Sequence, residues 1–252
     1  MKTFRIELRG LAVVIALALA WEIGVRFSGA ANVPSIGGML VTARAALANG
    51  GLQENYLASL MRVAVGFATG AGAGVAVGAL LGISRWAERL VGPPITLLRQ
   101  VPILGLIPML GLWFGIGETA KIVLVAMAAF YPVALNTHEG LRGVPASYRD
   151  VARVMTFSRW RLLRRVLLPW AMPAVMTGLK QGLAFAWIAV VAAELFLATA
   201  PGVGNILEAG RNLFQMNTIL LGMALIGATG ALMNILVTLL ERRLLRWRTT
   251  FA

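Results

Sequence analysis

Few residues in this chain could do chemistry. It has no cysteines and one histidine, His138, which excludes disulfides, thiolate nucleophiles and thiolate metal sites. Two charged residues, Lys180 and Glu194, interrupt a long apolar stretch at 171–197. A charge at the centre of a bilayer costs roughly 2.5–3.5 kcal/mol on insertion scales, so such residues usually face protein or water. Glu194 is therefore a candidate pathway or gating residue, and a structural bond to another helix near the outer interface is an equal alternative.

The sequence lacks the residues that nucleotide or acid–base chemistry would need. No Gly-x-x-x-x-Gly-Lys phosphate loop is present, so the chain is not expected to cradle ATP. No paired carboxylates suggest general acid–base catalysis. We therefore expect no enzyme activity, metal or other cofactor in this chain.

The composition indicates a membrane protein. The 252 residues are 59% hydrophobic and 13% charged, against roughly 45–50% and about 25% in soluble domains. A bilayer core requires about 20 apolar residues per helix. We predict an all-α, polytopic domain over residues 1–252 with about six transmembrane helices, at roughly 10–27, 60–82, 101–115, 119–138, 171–197 and 216–240.

Two of these segments need comment. The opening resembles a signal peptide, with basic residues before an apolar run, but we take it as the first transmembrane helix. The third segment is short and follows a break predicted at Pro93-Pro94, so a helix beginning near Ile95 would extend it.

The distribution of basic residues predicts the orientation. The formal net charge is +13, and most Lys and Arg residues lie at the N-terminus, near 85–99, in 139–169 and in the C-terminal tail. Short loops rich in Lys and Arg stay in the cytoplasm. We therefore expect a multi-pass protein with both termini cytoplasmic and in contact with membrane lipid. The charge then reflects topology, and no nucleic-acid partner is expected.

One inner connection, 139–169, is long and carries seven arginines. Ser158 is a good N-cap for a helix that Pro169 would end. Residues 147–155 favour another short helix. We expect a cytoplasmic protrusion of two short helices; the alternative is a basic loop that only fixes topology. One face of the second helix should contact an apolar surface through Trp160, Leu163 and Leu167.

This connection resembles the cytoplasmic loop of bacterial ABC importer permeases, which reads Glu-Ala-Ala, three residues, Gly, nine residues, Ile-x-Leu-Pro. Here Asp150-Val151-Ala152 is followed by Thr156 at the glycine position and by 166–169, Val-Leu-Leu-Pro. Glycine there would allow a left-handed turn, so we expect the bend to be made differently. The candidate ATPase-coupling residues within the loop at about 139–170 are Asp150, Val151, Ala152, Arg153, Thr156, Val166, Leu168 and Pro169.

Residues 98–121 resemble the third-helix region of permeases for aliphatic sulfonates, taurine, nitrate or bicarbonate, and 84–89 and 184–194 are similar to the same group. The resemblance implies a type I ABC importer permease fold in the bacterial inner membrane. It also implies a homodimer, two cytoplasmic ATPase subunits that carry ATP and Mg, and an extracytoplasmic solute-binding protein. The implied function is import of a small solute by alternating access. An ion-coupled secondary transporter is the alternative, and that class often shows inverted repeats.

Small residues and prolines mark two further features. Glycines recur every four residues from Gly66 to Gly82, which favours close helix packing, with a sliding surface during gating as the alternative. Pro102 and Pro108 are predicted to interrupt the third helix. We favour a pathway-lining role for them, because transport helices must expose some polar backbone, over a simple packing kink.

Overall fold

The structure, a computed structural model, describes residues 2–28, 33–197 and 200–245. The regular secondary structure in these ranges is helical, which confirms the predicted fold class. In chain order the elements are α1 (Lys2–Ser28), α2 (Ile36–Ala48), α3 (Gly51–Ile83), α4 (Arg85–Leu98), a 3₁₀ turn (Ile103–Leu106), α5 (Ile107–Phe114), α6 (Glu118–Arg142), α7 (Ala146–Val154), α8 (Arg159–Leu162), a π-helical turn (Leu163–Leu167), α9 (Leu168–Phe196), α10 (Val203–Asn212) and α11 (Met216–Leu244).

Four helices are long and apolar enough to cross a membrane: α3, α6, α11 and the continuous helix Arg159–Phe196. The pair Arg85–Leu98 and Ile103–Phe114 would add a fifth span, although the two helices are bent by 85°. The 27-residue α1 covers the predicted segment 10–27, although the side chains of residues 2–9 and 11 lie outside what the structure describes. The prediction of about six spans thus corresponds to four or five in the described residues, with α1 as the remaining long helix.

The predicted positions of the proline breaks are wrong. Pro93 and Pro94 lie inside α4, and the chain bends after it, at residues 99–102. No residue of α4 is buried, so the carbonyls that the prolines leave unpaired stay accessible. Pro102 precedes the 3₁₀ turn, and Pro108 occupies the first turn of α5. Proline is tolerated in a first turn because its missing N–H has no partner there, so Pro108 helps begin a helix instead of interrupting one.

The end of the predicted cytoplasmic protrusion is also different. Pro169 does not terminate a helix, because it lies in the first turn of α9. α8 passes through the π-helical turn directly into α9, so the two form one helix, Arg159–Phe196, of 38 residues. The second short helix is therefore one end of a span, and α7 is the separate short helix of this segment.

The glycine repeat of α3 packs against α6. A Cβ atom at Gly66 would lie 2.6 Å from Val125 Cγ1, and one at Gly82 would lie 2.7 Å from Leu141 Cβ. Gly72, which is out of phase with the repeat, has nothing within 4 Å of such an atom. The packing interpretation is confirmed for the repeat, whose members are Gly66, Gly70, Gly74, Gly78 and Gly82.

α6 forms the centre of the fold, between α3 and α9. The apolar core includes Val125 and Ala129 of α6 and Trp187 of α9. The Trp187 indole also donates a hydrogen bond of 3.0 Å to the carbonyl of Ile226, which ties α9 to α11. With 25 residues at about 1.5 Å each, α6 places Glu118 and α7 at opposite ends of one span.

Candidate coupling and transport sites

α7 ends in a Schellman turn at Thr156, the glycine position of the importer motif. The Phe157 amide donates to the Ala152 carbonyl at 3.0 Å, and the Thr156 amide donates to Arg153 at 2.9 Å. Thr156 has φ of 52°, a left-handed conformation that costs a side chain with a Cβ roughly 1–2 kcal/mol. The expectation of a different bend is therefore wrong: threonine adopts the conformation that glycine would.

One face of α7 is apolar and points away from the rest of the chain. Val151 and Met155 are each 58% exposed and Val154 is 85% exposed; these three residues are called the α7 face below. Asp150 is exposed beside them and accepts a hydrogen bond of 3.1 Å from Arg153. Ala152, by contrast, is buried in the chain itself. Of the predicted Asp-Val-Ala triplet, only the first two residues can therefore meet a partner.

The start of the helix after α7 is held by apolar packing and by its cap. The Ser158 hydroxyl accepts a bond of 3.3 Å from the Arg161 amide, which confirms the predicted N-cap. Leu163 and Leu167 pack in an apolar cluster with Leu141, as expected. Trp160 does not, and the prediction for it is wrong within this chain, where it is 67% exposed. The remaining motif residues are half-buried Val166 and Leu168 and exposed Pro169.

At the opposite end of α6 lies a group of four charged side chains, called the charge cluster: Arg62, Glu118, Lys121 and Glu194. Glu194 is fully buried and faces protein, not lipid. Arg62 Nη1 donates to Glu194 Oε1 at 2.6 Å, and the Ser59 hydroxyl lies 2.7 and 2.9 Å from the two carboxylate oxygens. The other guanidinium nitrogens donate to Glu118 at 2.6 and 2.7 Å. Arg62 thus joins three spans, α3, α6 and α9.

Glu194 also holds the start of α10. Its Oε2 accepts a bond of 2.9 Å from the Gly204 amide, and the Val203 amide donates to the Ser59 hydroxyl at 2.9 Å. Carboxylates at helix N-termini are stabilising because the first amides have no partner within the helix. A Cβ atom at Gly204 would lie 2.6 Å from Glu194 Cβ, so the approach requires glycine.

Sequence reasoning singled out Glu194 but missed its partners. Arg62 and Lys121 are assigned no role from the sequence, although each lies within a predicted span or at its end. Lys121 is fully buried, with Nζ 3.8 Å from Glu118. The sequence signal for this cluster is that two cations and two carboxylates lie near the same ends of three spans. Charges buried in a membrane are usually paired, so this placement predicts ion pairs.

A cavity of about 500 Å³ lies beside the bend between α4 and α5. Pro102 lines it, together with Arg99, Tyr131, Gln181 and Phe185. Pro108 and Glu194 are not among its lining residues. Of the three residues predicted for the pathway, the structure thus places Pro102 at a cavity, Pro108 at an exposed position in the first turn of α5, and Glu194 in the charge cluster.

Other ionisable groups of the helices also form charged pairs. His138 Nε2 lies 3.3 Å from Glu88, which also contacts Arg142. Lys180 of α9 is paired with Glu241 of α11. The described residues contain no group of His, Asp and Glu suited to a metal ion.

These features define a class: a polytopic helical membrane protein with a short exposed helix at one end of its spans. The family described as the binding-protein-dependent transport system inner membrane component matches residues 70–249. The chain belongs to this family, the permeases of ABC importers.

Relatives and a solved structure agree with this assignment. The chain is 35% identical to the Bacillus subtilis permease protein SsuC, named for aliphatic sulfonate transport, covering 97% of this chain and 89% of that one. It is 31% identical to the bicarbonate transport system permease protein CmpB of Synechococcus elongatus, covering 98% and 94%. It is 35% identical to the taurine transport system permease protein TauC of Escherichia coli, covering 78% and 71%.

The fold is that of a type I importer permease. A chain of the MetNI methionine ABC transporter in an inward-facing conformation superposes with a TM-score of 0.65 at 20% identity, covering 76% of this chain and 94% of that one. The predicted family and fold are therefore confirmed.

Proposed function

We propose that this chain is the membrane subunit through which an importer moves a small solute into the bacterial cytoplasm by alternating access. Two copies would enclose the pathway, with both termini cytoplasmic. Two ATPase subunits would bind ATP and Mg, and an extracytoplasmic binding protein would deliver the solute. Relatives named for sulfonates, taurine and bicarbonate support a small anion as that solute.

The α7 face is the observation that carries this proposal. Val154 is 85% exposed although it stands on a short helix whose other side is packed. Exposed apolar side chains grouped on one face are typical of a protein contact. α7 is joined by one turn to the 38-residue helix Arg159–Phe196, so a push on α7 would reach a span directly. The contact therefore suits transmission of nucleotide-driven motion.

The alternative, an ion-coupled secondary transporter, has less support. Such a carrier would need a carboxylate that binds and releases an ion near the middle of the membrane. Glu194 is instead engaged by Arg62, Ser59 and the Gly204 amide, and it lies in the charge cluster, near the ends of its spans.

Copurification with the ATPase subunit tests the contact. Val154→Asp places a charge within the apolar α7 face and should abolish or strongly weaken assembly, because burying an unpaired carboxylate is unfavourable. Arg89→Gln on α4 also lowers the charge by one and should assemble normally. Equal recovery of the ATPase with the wild type and with Val154→Asp would show that α7 is not the contact.

A further inference from the structure

The cavity beside the α4–α5 bend lies about halfway along two of the spans, α6 and Arg159–Phe196. Tyr131 is the fourteenth residue of the 25 in α6, and Gln181 is the twenty-third of the 38 in Arg159–Phe196, 15 residues before its end at the charge cluster. At about 1.5 Å per residue, Tyr131 lies roughly 20 Å along α6 from Glu118. The volume of about 500 Å³ is within the usual range for small-molecule sites, roughly 300–1,000 Å³.

Four polar residues line this cavity, Arg99, Gln100, Tyr131 and Gln181, and the charged one among them, Arg99, is a hydrogen-bond donor. Arg99 contributes a guanidinium, and Tyr131 contributes a hydroxyl. The Gln181 carbonyl oxygen accepts a bond of 3.1 Å from Asn136, which leaves its amide group to donate. The lining residues include no carboxylate, so Arg99 gives the cavity a positive charge.

These polar side chains are not covered within the chain. Arg99 and Gln181 are both exposed, although Gln181 lies at mid-span. Polar side chains at such depth face a protein interior or a water-filled cavity, because lipid cannot hydrogen-bond them. The surface of α6 and α9 that lines the cavity is therefore suited to line the transport pathway.

The opposite part of the lining is apolar. Leu135, Phe185 and Ile188 form much of this wall, so a ligand that fills the cavity needs both an anionic group and a short hydrocarbon portion. A bare inorganic anion would satisfy the donors but would leave the apolar wall in contact with water.

We propose that this cavity is a mid-membrane binding site for a small organic anion, whose charged group meets Arg99 and Gln181 and whose apolar part contacts Phe185. The site rests on the proposed function, since it is occupied during import. It makes the permease a second selective element after the binding protein.

Thiol labelling tests occupancy directly, because the chain has no cysteine. Gln181→Cys is placed in the complete complex with ATPase subunits and binding protein, and a membrane-impermeant thiol reagent is added during ATP turnover. We expect labelling, and protection when hexanesulfonate is present at saturation. Leu236→Cys, exposed on the apolar surface of α11 outside the cavity, serves as the control and should stay unlabelled. Absence of labelling at 181, or labelling that hexanesulfonate leaves unchanged while uptake proceeds, would overturn the site.

Uptake kinetics give an independent test. Arg99→Gln should raise the KM for hexanesulfonate roughly 10–100-fold with a smaller effect on kcat, because it removes a charged hydrogen bond to the anion. Phe185→Ala should shift the preference among alkanesulfonates toward longer chains. Arg89→Gln, an exposed arginine outside the cavity, should change neither. Unaltered KM and chain-length preference in the Arg99 and Phe185 variants would refute the site. Failure of the wild-type complex to transport any solute with ATP would instead refute the proposed function.

Discussion

Replacing Glu194 by alanine should destabilise the protein strongly, even though the residue lies outside the cavity. The change removes one of the two acceptors of Arg62 Nη1, at 2.6 Å, and the acceptor of the Gly204 amide, at 2.9 Å. The other acceptor of Nη1, the Pro201 carbonyl, remains. It also leaves the charge cluster with two cations and one carboxylate, Glu118, which is half exposed. The start of α10 then loses its hydrogen bond to Glu194 of α9.

The magnitude follows from the number of groups left without partners. A buried donor without an acceptor costs about 1–3 kcal/mol, and removing one member of a buried ion pair costs about 3–5 kcal/mol in total. Arg62 keeps its two bonds to Glu118 at 2.6 and 2.7 Å and its bond to the Pro201 carbonyl at 2.6 Å, so we expect the lower half of that range. Since 1 kcal/mol shifts Tm by roughly 2–4 °C in a chain of this size, the melting temperature should fall by about 6–16 °C.

The assay is thermal unfolding of the purified protein in detergent, with size-exclusion recovery after heating as the readout. Glu54→Ala is the matched control, because Glu54 is an exposed glutamate near the same end of α3. Gly204→Ala disturbs the cluster from α10 and should also lower Tm. A Tm for Glu194→Ala equal to that of Glu54→Ala would refute the role assigned to the charge cluster.

Two further predictions concern the backbone. Gly70→Ala should lower Tm because a Cβ atom at this position would overlap the Ala126 carbonyl of α6, and overpacking typically costs about 1–3 kcal/mol. Gly72→Ala, which has open space around the added atom, should leave Tm unchanged in the same melting assay. Equal effects of the two would contradict the packing of α3 on α6. Thr156→Gly should slow hydrogen exchange in α7, since it relieves a left-handed cost of roughly 1–2 kcal/mol, whereas Thr156→Ala should not. Faster exchange in the glycine variant would show that the threonine is not strained.

The helices and their polarity could be predicted from sequence because lipid imposes simple rules. Apolar length, the Gly66–Gly82 repeat and the Ser158 cap all act locally or along one helix, and the structure agrees with each. The importer motif also identified the exposed short helix. Rules based on neighbouring residues failed where packing between helices determines the start or end of a helix. Pro93 and Pro94 stay within α4, and Pro169 begins α9 where an end was expected.

The partners of Glu194 could not be assigned from sequence because they come from separate helices. Arg62 is 132 positions away and Ser59 is 135 positions away, so their contact depends on how α3 and α9 pack. The cavity is similar: Arg99 and Gln181 are distant in sequence and meet only through the bend after α4. Thr156 shows a different limit, since sequence rules assign a left-handed turn to glycine, whereas the hydrogen bonds of the Schellman turn impose it on threonine.

The central claim is that this chain carries solute only when a partner ATPase drives it through α7. The most direct measurement is uptake of radiolabelled taurine, hexanesulfonate and bicarbonate into proteoliposomes that contain the chain, its ATPase subunits and its binding protein. We predict uptake of at least one solute that requires ATP and both partners and is lost in Val154→Asp but retained in Arg89→Gln. Uptake by the chain alone, driven by an ion gradient without ATP, would contradict the account.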